Sequence, residues 1–401
     1  MSPESELLLS CAAPEVEEPE RLARLIRKGI NWDWLLAAAS RNEVTPLLYW
    51  RLRSLCASEV PVGVEKDLRS RFLDNARRSL TLTGALLKLL EALEQGGIRV
   101  MVLRGPVMAA SLYGNVALRQ IADLDILVPK SDVLAAADVL AALGFQHPHR
   151  FTATQRTLTL RTDYNFHLER EDGVALELHW RLVPGFFSWD SDPSLWWSRA
   201  VRTPFCEREV LEPSPEDLLL LLCVHGLKHG WEQLRLVADV AWLVQNRVLE
   251  WDQASCSAAR TGAARALNLG CRLAADLLGA PVPEGVLRRA IEDKTADALA
   301  RPLLADYRRS VGPARGYLSR SLLHLRARER WRDKAQYCFR VLFVPTVNDY
   351  ALQRLPLRLS PLYYPLRTAR MILKYGVGPV RRLGRGARVR TAHGVSEIPS
   401  S

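Results

Sequence analysis

The spacing of apolar residues changes period along this chain, from helical to alternating and back. Glu20–Ile30, Asp33–Ala39 and Val64–Leu80 repeat apolar positions every three or four residues, which predicts a helical start over residues 1–80. Leu82, Leu86, Leu89, Leu90 and Leu93 mark one face of a further helix that Gly96-Gly97 ends. Ile98–Leu103 then reads as a buried strand, and Val107–Tyr113 as a short helix. Ile121–Val128 reads as a second strand. A helix over Ser131–Leu143 follows, which Ser131 can cap and Gly144 can end.

Val174–Leu182 alternates without error. Val174, Leu176, Leu178, Trp180 and Leu182 face one way, and Ala175, Glu177, His179 and Arg181 the other. With Tyr164–Leu168 and a turn at Glu171-Asp172-Gly173 it predicts a hairpin. The strand-bearing part ends near Pro184-Gly185. Residues 186–203, rich in Trp, Ser and Asp, predict a loop or short helix. There Trp189, Trp196 and Trp197 either pack inward or offer a stacking platform for a base. Ser214-Pro215-Glu216-Asp217 opens a helix with a cap, a first-turn proline and acids at the positive end. Helical spacing continues to about residue 310. The pattern predicts an α+β chain in four regions: helical 1–80, a sheet-bearing core 81–185, a helical 186–310, and a basic 311–401.

The chemistry starts with Asp123 and Asp125, two residues apart on one predicted strand. A strand turns every second side chain to the same face, so both carboxylates point together while Leu124, Ile126 and Val128 point into the core. A hard divalent cation resolves that repulsion, since Mg²⁺ takes oxygen ligands and leaves room for substrate phosphates. Glu177 adds a third acid if its strand lies beside the first. Arg104-Gly105-Pro106 follows the first strand, where a glycine lets backbone approach a ligand and a helix N-terminus favours phosphate.

Leu103-Arg-Gly105, then Arg119-x-x-x-Asp123-Leu-Asp125-Ile-Leu-Val128, then Glu177-Leu-His-Trp-Arg-Leu182 resembles the uncharacterised nucleotidyltransferase family of the polymerase-β superfamily. Trp32-Asp-Trp-Leu-Leu36 and Val44-Thr-Pro-Leu-Leu-Tyr49 are similar to its helical N-terminus. His225-Gly-Leu-Lys-His229 and Arg235-Leu-Val-Ala-Asp239 are similar to its later helical segment. The resemblance implies a small mixed sheet with a carboxylate triad. It also implies transfer of a nucleoside monophosphate from a nucleoside triphosphate, with Mg²⁺ or Mn²⁺, to an acceptor the sequence does not name. Asp123, Asp125 and Glu177 would then hold the metal. Gly105 and the helix after it would cradle phosphates with Arg104, and Arg119 would add charge as pyrophosphate leaves. Lys228 and His229 either face the cleft and meet triphosphate or acceptor, or are a solvated lysine and a core histidine. Asp239 either pairs with Arg235 four residues away or serves the acceptor side. Two positions depart from the family: Arg104 stands where a lysine is usual, and Glu177 where an aspartate is common. Arginine keeps the charge with a fork geometry in place of a point charge.

Charge adds a separate feature. The chain of 401 residues carries +11, yet Arg301–Ser401 holds 21 Lys plus Arg against 5 Asp plus Glu, so residues 1–300 are net −5. The basic end, with Arg381-Arg-Leu-Gly-Arg-Gly-Ala-Arg-Val-Arg390, suits RNA, an acidic lipid surface, a polyanionic acceptor or plain solubility. Leu352–Val377 mixes Leu, Tyr and Pro with Arg, and prolines 356, 361 and 365 break any long helix there.

Other classes are disfavoured. The acidic start Met1–Glu6 is unlike a signal peptide, and the longest apolar run, Leu218–Val224, is too short to span a membrane. Seven cysteines without a C-x-x-C pair fit reduced thiols in a cytoplasm and not a structural zinc site. His225 and His229 lack the glutamate of a metalloprotease helix, and no nucleophile elbow occurs. The competing readings are a nucleotidyltransferase fold serving as an inactive binding module in a biosynthetic assembly, and an RNA-binding protein using the basic last quarter.

Overall fold

The computed structural model describes residues 1–15, 19–148, 151–183, 193–312, 317–352 and 355–373. The chain forms two compact units, Met1–Arg150 with Tyr164–Tyr337, and Phe151–Asp163 with Cys338–Ser401. It is an α+β protein with small sheets set among helices, as the periodicity predicts.

In the first unit four strands form one mixed sheet: β1 (Met101–Arg104), β2 (Asp123–Leu127), β3 (Asn165–Glu169) and β4 (Ala175–His179). Their spatial order is β1-β2-β4-β3. β2 and β4 run parallel, so Asp123 faces Ala175, Asp125 faces Glu177 and Leu127 faces His179. β1 and β3 flank them antiparallel. The apolar face of the sheet is closed by Leu124, Ile126, Leu176 and Leu178, all fully buried.

One irregularity decides which way Arg104 points. Met101 pairs with Leu127 and Val102 with Ile126, but Arg104, not Leu103, pairs with Asp125. An unbroken register would set Arg104 opposite Leu124, on the core face. The extra residue is a β-bulge, and a one-residue shift moves a side chain to the other face of the sheet.

The helices differ from expectation in detail. The two segments predicted on either side of residue 81 are one 34-residue helix, Val62–Gln95, because no proline interrupts it before its C-cap Gly96. Ser131 does not cap the following helix. Pro129 starts a 3₁₀ turn over Lys130–Asp132, the helix proper is Val133–Ala142, and Ser131 Oγ donates to Asp132 Oδ1 (2.8 Å). Ser214 does cap Pro215–Lys228, accepting from the Asp217 amide.

The region expected to be helical after residue 186 also contains a hairpin, β5 (Val201–Phe205) and β6 (Arg208–Glu212). Its two-residue turn, Cys206-Glu207, lacks the usual Gly or Asn, and Cys206 takes the left-handed conformation (φ 54°) at a cost. Pro204 fits because β5 has a partner on one side only. Trp196 is buried and Trp197 lies under the Arg99 guanidinium (4.7 Å), so both pack. Trp189 and Pro184-Gly185 lie outside the described residues.

Trp231 fixes the turn after the Pro215–Lys228 helix. Its ring packs onto Gly226, where a Cβ would come within 2.5 Å, and Gly270, where one would be 3.1 Å away. All seven cysteines are free. No helix among the described residues is long and apolar enough to cross a membrane.

Candidate active site

A cavity of about 310 Å³ opens between the polar face of the sheet and the end of the Pro215–Lys228 helix. Arg104, Gly105, Arg119, Asp123, Asp125, Glu177, Lys228 and His229 all line it. The eight residues singled out from sequence thus come together, from segments up to 125 positions apart.

Asp125 is the centre. It is 2% exposed and its Oδ1 accepts from Arg104 Nη2 (2.7 Å) and from His179 Nε2 (3.1 Å). The same His179 nitrogen lies 3.0 Å from Glu177 Oε2. Burial alone would raise Asp125, but the charge of Arg104 and the hydrogen bond from His179 hold it well below the usual carboxylate range. Glu177 is likewise lowered: burial opposes its charge, and His179 outweighs burial. His179 is raised to about 9, because its hydrogen bonds to Asp125 and Glu177 overcome its own desolvation. Asp123 has no such partner. Burial and then the charge of Asp125 push it up to about 6. Ligand atoms of Asp125, Glu177 and His179 lie within 4.8 Å of one another, close enough to share one ion.

Gly105 adopts φ 96°, ψ −142°, a conformation that a side chain would strain, and it caps the helix Pro106–Tyr113. Pro106 has no N–H, and Ala109 N bonds back to Gly105 O (3.0 Å). The amides of Val107 and Met108 therefore occupy the free positions of the first turn.

The far wall is cationic. Arg104 Nη1 approaches both ring nitrogens of His225 (2.6 Å), and the His225 and His229 rings are 4.4 Å apart. Burial first, then neighbouring cations, hold both rings neutral, His229 at about 3. Lys228 Nζ donates to Tyr164 Oη (2.9 Å), and burial lowers its pKa.

Arg119 lines the cavity with its charge paired to a buried carboxylate. Its Nε and Nη2 bind Asp239 in a bidentate pair (2.8 and 2.9 Å), 5% and 1% exposed respectively for the two side chains. Asp239 also accepts from Tyr113 Oη (2.8 Å) and Arg235 Nη1 (3.3 Å), and Arg235 Nε reaches Glu43 Oε2 (2.5 Å). Asp239 thus aligns two arginines along the cavity wall and pairs with Arg235 as its spacing suggested. Sequence reasoning missed His179 as the partner of Asp125 and Glu177, and His225, Glu43 and Gln233 as cavity residues. The first shares the polar face of Glu177 by alternation, and the second precedes Lys228 by almost one helical turn. Glu43 and Gln233 (2.7 Å apart) gave no signal.

A small mixed sheet presenting carboxylates beside a glycine turn and a cationic wall has the chemistry that phosphate groups and a divalent ion call for. The profile of a family described as uncharacterised nucleotidyltransferase matches residues 28–279. The chain belongs to that family and is a transferase, and the family implies a nucleotide substrate. No curated protein and no solved structure matches it.

Proposed function

We propose that this protein transfers a nucleoside monophosphate from a nucleoside triphosphate to an acceptor hydroxyl or similar nucleophile, releasing pyrophosphate, with Mg²⁺ or Mn²⁺ held by Asp123, Asp125 and Glu177. The observation that carries it is the parallel register of β2 and β4, which sets Glu177 beside Asp125 on the face that also bears Asp123.

The donor set fits a divalent cation. Arg104 and His179 together do not neutralise the three acids, and Asp123 is left at about 6 by burial and its acidic neighbours. A dication placed there relieves that repulsion, and when bound it polarises phosphoryl oxygens and stabilises charge on the departing group. His179 is positioned to serve as a nitrogen ligand or to hold the two carboxylates in place.

The chain's own residues account for the rest. Arg104, Lys228 and Arg235 present positive charge to a triphosphate, and the first-turn amides after Gly105 add donors. Arg119, clamped by Asp239, keeps its charge in the wall as negative charge builds on pyrophosphate. Glu177 completes the carboxylate face beside Asp125 and is placed to help take the proton of the attacking acceptor. Positioning and fixed charge supply most of the rate in such a reaction. The test is transfer of label from α-labelled ribonucleoside triphosphates into pools of candidate acceptors. Asp125→Asn should abolish incorporation while leaving the fold intact, and wild-type labelling by that variant refutes the proposal.

A further inference from the structure

Cys338–Leu373 presents an apolar surface that nucleotidyl transfer does not use. Fewer than a tenth of the residues, this stretch holds ten of the twenty exposed large hydrophobic side chains among those described. Leu362, Leu366, Ala369 and Leu373 recur at i, i+4, i+7 and i+11 along the Tyr363–Met371 helix and its ends, and all four are exposed. The opposite side is buried and carries Tyr363, Arg367 and Met371. Arg367 turns inward to Val341 O (2.9 Å) and Asp349 (3.5 Å). An ordinary surface helix does the reverse, with charge outside and leucine inside. Phe339 and Phe343, one turn apart on Trp331–Phe343, extend the exposed apolar surface with rings 5.3 Å apart.

A surface of this kind gains by leaving water, and the charge around it selects what it meets. Residues 338–401 carry 11 Lys plus Arg against 2 Asp plus Glu, a net of +9. Arg358 is exposed beside the leucines, and five arginines fall between 381 and 390. A second copy of this stretch would bring +9 against +9. A nucleic acid would engage the charge but leave the leucine stripe in water. Anionic lipid matches both features, with apolar side chains at the headgroup–acyl boundary and arginines at the phosphates.

We propose that the Cys338–Ser401 region docks the protein on the surface of an anionic lipid bilayer through the Leu362–Leu373 stripe. No described helix is long and apolar enough to cross, so the contact lies in the membrane plane. The proposal does not depend on the catalytic reading.

The test is co-sedimentation of the full-length chain with phosphatidylglycerol-containing and pure phosphatidylcholine vesicles. The chain should bind the anionic vesicles at least tenfold more tightly, with affinity that falls as salt rises. Leu366→Glu with Leu373→Glu should lower binding at least tenfold while leaving circular dichroism and the melting temperature near wild type. Replacing the five arginines between 381 and 390 with glutamine should remove most of the preference for anionic lipid. Equal binding to both vesicles, unchanged binding by the leucine variant, or retention of single-stranded RNA without vesicle binding would each overturn the proposal.

Discussion

Arg104 Nη2 donates to Asp125 Oδ1 over 2.7 Å, and it reaches that oxygen because β1 carries one extra residue against β2. The bulge turns a side chain that would enter the core toward the carboxylate face. Arg104→Ala should therefore cost more than a lost phosphate contact. It removes the first influence holding Asp125 ionised and leaves a buried carboxylate short of a partner. Nucleoside triphosphate affinity should drop at least tenfold in calorimetric titration. Arg104→Lys, the residue usual in the family, should retain most of it. Equal affinity in the alanine variant contradicts this role.

Asp239→Asn should destabilise the fold by about 3–5 kcal/mol, the range for breaking one side of a buried pair, since Arg119 keeps its charge in a buried setting. Asp239→Leu combined with Arg119→Met should recover much of the loss. Urea unfolding of Asp239→Leu, Arg119→Met and the double closes the cycle. Additive losses would show that the two residues are not coupled.

Two glycines inside helices should respond oppositely to alanine. At Gly226 the new methyl meets the Trp231 ring at 2.5 Å, so overpacking should cost about 1–3 kcal/mol. At Gly84, inside Val62–Gln95, nothing lies within 4 Å and alanine should gain about 0.5–1 kcal/mol. Thermal melts of both variants check the pair of signs.

Alternation in Val174–Leu182 put Glu177 and His179 on one face, and the structure keeps them there. The bulge in β1 left no mark, because Val102-Leu103-Arg104 holds no glycine or other local signal of an extra residue. The Cys206-Glu207 hairpin lacked turn chemistry, so its strands were not foreseen. The clamp of Asp239 on Arg119 joins residues 120 positions apart, and no local spacing reports such a pairing. Helix ends were clearest where chemistry is local, as at Ser214-Pro215.

Acid should loosen the fold through its neutral histidines. His324, whose Nε2 lies 3.0 Å from the carbonyls of Leu227 and Lys228, is lowered to about 4 by burial and then Arg328. His229 is lowered to about 3. The unfolded chain takes up these protons first, near pH 6.5, so their contribution is intact above that pH and is lost as pH falls toward 4. His179, raised to about 9, works the other way: its contribution holds below pH 6.5 and is lost as pH rises through 9. Stability followed from pH 7 to 4 should fall, and His324→Gln should reduce the slope by about 1.4 kcal/mol per pH unit between pH 6 and 4. Parallel profiles for wild type and variant would contradict the assignment.

A nucleotide site on the Asp123–Asp125–Glu177 face should bind triphosphate only with a divalent ion. Thermal unfolding with each ribonucleoside triphosphate, with and without Mg²⁺, tests it on wild type and on Asp123→Asn/Asp125→Asn. A ligand that binds only the folded chain raises its melting temperature. The account predicts a Mg²⁺-dependent rise with at least one triphosphate that disappears in the double variant. A rise of the same size in the double variant, or none with any triphosphate in the wild type, would contradict it.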